Sequence, residues 1–67
     1  MTIPEKIRVA RLNQGYTQQA LGEVLGYEGK SALVTVQRWE NGSRPVPIEK
    51  IRKLAEVLQI PLDTLIP

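Results

Sequence analysis

The 67-residue chain contains no cysteine, no histidine and no phenylalanine, and its only aromatic residues are Tyr16, Tyr27 and Trp39. Without cysteine no disulfide can staple the fold, and without cysteine or histidine the usual structural zinc site cannot form. Thiolate and imidazole catalysis fall on the same ground. No glycine-rich cradle or paired-carboxylate motif stands in for them, so the residues argue against an enzyme and predict no cofactor. No apolar run approaches the roughly 20 residues of a membrane span. Glu5, Lys6, Arg8 and Arg11 crowd the N-terminus with no long apolar run behind them. That predicts no signal peptide and a soluble, cytoplasmic protein with no membrane partner. A chain this short hides only about 60% of the surface its unfolded form exposes. Its stability must come from well-packed helices or from a second subunit.

What is present is charge with a direction. The net charge is only +2, but six cations (Lys30, Arg38, Arg44, Lys50, Arg52 and Lys53) stand between residues 30 and 53 against Glu40 and Glu49. From Leu54 onward the only charged residues are Glu56 and Asp63. A basic centre beside an acidic tail fits a polyanion-binding face, although ordinary solvated helix faces produce the same distribution.

Periodicity predicts about five helices and no strand, hence a compact all-α domain over residues 1–67. Thr2 and Glu5 have capping-box spacing ahead of a first helix whose inner face is Ile3, Ile7 and Ala10, ended by Gly15. Thr17 caps a second helix bearing Leu21, Val24 and Leu25 and stopping at Gly26. Ser31 is the expected cap of a third helix that runs through Val36 and Trp39 to Asn41-Gly42. Pro45 and Pro47 then force an extended loop. A fourth helix has Ile48, Ile51, Leu54, Ala55 and Leu58 as its apolar stripe, and Pro61 precedes one short final turn. Two helices meeting near Gly26 inside a small basic domain are a common way to offer a helix to the DNA major groove.

Several segments, in this order, resemble the Cro/phage-repressor (XRE-like) class of helix-turn-helix proteins: Ile7-Arg8-Val9-Ala10-Arg11 before Gly15, Thr17-Gln18-Gln19-Ala20-Leu21, Leu25-Gly26, Thr35 to Gly42, and Ile51 to Ala55 with Leu62-Asp63-Thr64-Leu65. The resemblance implies a lambda-repressor-like fold with the helix-turn-helix over about residues 17–41. It further implies that Gln18 binds backbone phosphate, that Thr35 is a hydroxyl residue of the reading helix, and that Asn41, Gly42 and Arg44 form a phosphate-touching loop. Arg11 and Glu40 match positions of a partly buried ion pair. One departure stands out: Trp39 lies 13 residues beyond Gly26. The family spacing is about four residues shorter, which predicts a lengthened turn over about residues 26–31.

The outward face of the third helix should carry sequence choice. With Val36 and Trp39 turned inward, Lys30, Ser31, Val34, Gln37 and Arg38 face out. Gln37 suits adenine, Arg38 suits guanine or phosphate, and Val34 suits thymine methyls. Gln18, at the start of the second helix, fixes register by donating to phosphate; Gln19 joins it, although alone it is only a solvated helix position. Leu33 is expected to plug the core, Tyr16 and Tyr27 to pack on the ends of the second helix, and Lys50 to be plain surface. The expected function is a sequence-specific, repressor-like transcription regulator on double-stranded DNA, acting as a homodimer or as part of a longer dimeric regulator. Ile60, Leu62, Leu65 and Ile66 are the candidate self-association surface. The alternative is a protein-interaction module or antitoxin that keeps the fold with little specific DNA reading.

Overall fold

The computed structural model describes residues 1–67. The five expected helical segments resolve into four α-helices, α1 (Ile3–Asn13), α2 (Gln18–Val24), α3 (Lys30–Asn41) and α4 (Ile48–Leu58), and a closing 3-10 turn, Leu62–Leu65. The capping box of α1 forms in full: the Glu5 N–H donates to Thr2 Oγ1 at 3.3 Å and the Thr2 N–H to Glu5 Oε1 at 3.1 Å. The Thr2 backbone bond, followed by its hydroxyl, holds the Glu5 carboxyl below the usual carboxylate range. Thr17 caps α2 by accepting from the Ala20 N–H at 3.0 Å.

Three local expectations need correction. Ser31 does not cap α3; Gly29 holds that position at φ 56°, without a side-chain bond, and the helix begins at Lys30. The connection is therefore Leu25–Gly29, and Lys30 and Ser31 belong to helix rather than to a turn reaching residue 31. Val24 is 44% exposed and Ile48 86% exposed, so neither lies on an inner stripe. Ile48 opens α4 directly after the Pro47 cap, before the helix turns its apolar side inward. Leu33 is only half-buried, and Ala32 takes the interior position instead.

Ala32 is buried because α2 and α3 approach there more closely than side chains normally allow. A Cβ on Gly22 would lie 2.3 Å from the Ala32 carbonyl oxygen, so only glycine fits. That contact sets the separation of the two helices. Around it, Leu21 of α2 and Leu25 just beyond it join Val36 and Trp39 of α3. Ile7 and Ala10 of α1 and Leu54, Ala55 and Leu58 of α4 complete one core, which Leu65 of the final turn closes. A hydrophobic core built from all five segments leaves one long edge of α3 on the outside.

Candidate nucleic-acid interface

The site begins with a carboxylate that joins three helices. Glu40, near the end of α3, accepts from Arg11 Nε on α1 at 2.6 Å (Oε2) and from Arg11 Nη2 at 3.1 Å (Oε1). Gln18 Nε2, at the start of α2, donates to the same Oε1 at 3.1 Å. The remaining Arg11 nitrogen, Nη1, donates to the Tyr16 carbonyl at 2.9 Å. The two charged side chains are only 8% and 4% exposed. A desolvated, bidentate arginine–carboxylate pair is directional, so it fixes the angle among its helices as well as their distance. The ion pair expected from the resemblance is present, and it holds the Gln18 amide in place.

Outward from that hub, α3 presents Lys30, Ser31, Gln37, Arg38 and Asn41 exposed, with Val34 and Thr35 half-buried. Two shallow hollows run along the C-terminal half of this edge. One is lined by Arg8, Gln18, Gln37, Glu40 and Asn41, with no apolar side chain. The other brings Thr35, Arg38 and Arg44 together beside Tyr27 and Pro45. Arg44 is held there by its own backbone: its N–H donates to the Arg38 carbonyl at 3.2 Å. Asn41 Oδ1 accepts from the Ser43 N–H at 2.8 Å and the Ser43 hydroxyl at 2.5 Å, which leaves the NH2 end to face outward. Gln18, Gln37 and Asn41 thus line one flank of α3, and Thr35, Arg38 and Arg44 line the other. Lys30, Ser31 and Val34 lie toward the other end of α3 and line neither hollow.

Two residues stand elsewhere than their sequence context implies. Gln19 Nε2 turns back into the protein, donating to Glu23 Oε2 and to the Gly29 carbonyl, each at 3.0 Å. Lys50 is not plain surface: its Nζ donates to the Leu25 carbonyl at 2.8 Å and lies 5.0 Å from the centre of the Tyr27 ring. Tyr27 packs edge-on against Trp39, with centroids 6.0 Å apart and planes at 73°. Burial above all, and the neighbouring Glu49 charge in addition, push the Tyr27 hydroxyl above its usual range. Arg8 is the site residue that sequence reasoning omits. Its only signal is its place one helical turn before Arg11, on the helix that carries the buried pair.

No set of three His, Cys, Asp or Glu side chains is grouped to hold a metal ion. No helix is long and apolar enough to cross a membrane. The surface mixes cations and amides, with a shallow hollow on each flank of one helix.

Such a face on a short-helix pair locked by a third helix defines a helix-turn-helix DNA-binding regulatory domain. The family model described as Helix-turn-helix (HTH_3) matches residues 7–65, and the chain belongs to that family. No curated protein and no solved structure matches it.

Proposed function

We propose that the protein is a sequence-specific transcription regulator of repressor type that lays α3 in the major groove of an operator. The observation that supports this reading most is the pair of polar hollows that flank α3: amide donors Gln18, Gln37 and Asn41 on one flank, and Arg38 and Arg44 with Thr35 on the other. In this pose Arg8, Gln18 and Arg44 meet phosphates and set the register, while Gln37 and Arg38 read bases. Gln18 would exchange or share its bond to Glu40 for one to phosphate oxygen. Gln19 contributes through the protein rather than through DNA.

A single 67-residue domain offers a small footprint. We therefore propose two copies on a pseudo-palindromic site, with half-sites one helical turn apart. Ile48, Leu62 and Ile66 leave an exposed apolar surface that supports pairing. The same surface favours the second reading, a protein-interaction module in which the helix-turn-helix no longer selects sequence.

Selection of bound duplexes from a random pool, followed by titration at several salt concentrations, separates these readings. The regulator yields a two-fold symmetric consensus bound about 10³-fold or more tighter than unrelated DNA. Salt-sensitive binding without a consensus would reduce it to a nonspecific binder, and no binding at low salt leaves the interaction module.

A further inference from the structure

The connection between α2 and α3 is held from outside itself at both ends. It runs from Leu25 to Gly29 and contains Gly26 at φ 99° and Gly29 at φ 56°. Glycine brings the greatest backbone freedom of any residue, and the α3 N-cap has no side-chain bond to stiffen it. Backbone bonds close the turn: the Tyr27 N–H donates to the Gly22 carbonyl at 3.0 Å, and the Ser31 and Ala32 N–H groups donate to the Glu28 and Gly29 carbonyls at 3.1 Å. No side-chain hydrogen bond from within the turn adds to them.

Side chains from α4 and α2 supply what the turn lacks. Leu25 is the C-cap of α2, where the last carbonyls have no helical N–H to accept from. Lys50 of α4 fills that need, with Nζ 2.8 Å from the Leu25 oxygen. The same ammonium lies 5.0 Å from the centre of the Tyr27 ring. The other side of the linkage is Tyr27 edge-on to Trp39 of α3, at 6.0 Å. At the far end, Gln19 Nε2 donates to the carbonyl of Gly29, the N-cap of α3, at 3.0 Å. These bonds add to the packing of α2 on α3, and the Lys50 bond ties α4, which otherwise packs on the 3-10 turn and α1, to the end of α2.

We propose that Lys50 is a positioning residue for DNA reading: from α4 it sets the pose of α3 without touching DNA, and Gln19 does the same from α2. The inference rests on the DNA-reading function proposed above. It assigns a specificity role to a helix that carries none of the DNA-facing residues. Over its 12 residues, a length of about 18 Å, α3 is fixed near its C-terminal end by Glu40, while the Gln19 bond to Gly29 bears on its other end.

A lysine that binds phosphate and a lysine that orients a helix leave different signatures in salt. Losing a phosphate contact weakens binding to all sequences alike and lowers the slope of log affinity against log salt by about 0.9. Losing a positioning contact lowers the ratio of specific to nonspecific affinity and leaves the slope in place.

The test is Lys50→Met in the full chain, titrated against the duplex selected from a random pool and against a scrambled duplex, at four salt concentrations. The expected ratio falls about tenfold, the equivalent of one mismatched base pair, with the slope within about 0.3 of the wild type. Lys50→Arg, which keeps a donor and a cation over the ring, should retain most of the ratio. An unchanged ratio in Lys50→Met overturns the inference, as does a parallel fall for both duplexes with the slope reduced by about 0.9. If melting shows Lys50→Met unfolded at the assay temperature, Gln19→Leu is judged by the same two criteria. A wild-type chain that binds no duplex overturns the DNA reading itself, and with it this inference, before any variant is made.

Discussion

At the scale of single residues, Glu40 carries more than any other side chain. Two of its three bonds neutralise Arg11 and the third aims Gln18. With both charges nearly out of water, the intact pair need not stabilise the fold relative to apolar residues of the same shape, but half of it is costly. Glu40→Gln is expected to lose about 3–5 kcal/mol, measured by urea denaturation followed by circular dichroism. A domain of this length holds only about 3–10 kcal/mol in total, so the variant should lie near its unfolding midpoint. Arg11→Met combined with Glu40→Leu should recover most of that stability. A loss below about 1 kcal/mol for Glu40→Gln would mean that the pair behaves as a solvent-screened surface bridge. This pair is legible in the sequence only through the resemblance of its flanking segments, because nothing local connects two residues 29 positions apart.

At the scale of elements, the α2–α3 pair depends on an absence. Gly22 sits inside a seven-residue helix, where alanine is the better helix former by about 1 kcal/mol. Yet any Cβ there meets the Ala32 backbone, with the carbonyl oxygen at 2.3 Å. Packing outweighs propensity, so Gly22→Ala should lower stability by about 1–3 kcal/mol and push α3 away from α2. Thermal melting checks this, and a raised midpoint would refute the contact. Helix ends were legible wherever a side chain makes the cap, as at Thr2 and Thr17. The start of α3 was not, because Gly29 and Ser31 are both acceptable starts by residue type. Ala32 settles the choice by fitting against Gly22, a contact that no local pattern announces. The same limit explains Lys50 and Gln19: their partners are 25 and 10 positions away, and each is a side chain bonded to a carbonyl, which any residue type can supply. Val24 and Ile48 mislead in the opposite way. Each is apolar at the edge of a stripe, where a few tens of degrees of helix rotation decide between core and solvent.

For the whole molecule, the charge asymmetry becomes a statement about faces. Arg38 and Arg44 share the hollow beside α3, whereas Arg52 borders the apolar patch of Ile48, Ile51, Leu62 and Ile66. Six cations in one stretch of sequence therefore do not act as one patch. Arg44→Ala should lower the salt slope of duplex binding by about 0.9, Arg38→Ala should lower the ratio of specific to nonspecific affinity about tenfold, and Arg52→Ala should leave both unchanged. Fluorescence anisotropy titrations at stepped salt read this directly, and an equal effect of all three would place the DNA on a different side. Trp39 is the only tryptophan, buried to 2% exposure and in edge contact with Tyr27. Its indole touches at once Tyr27 of the turn before α3 and the core that keeps the domain folded. The molecule thus contains its own optical label, whose emission follows α3 without any dye attached.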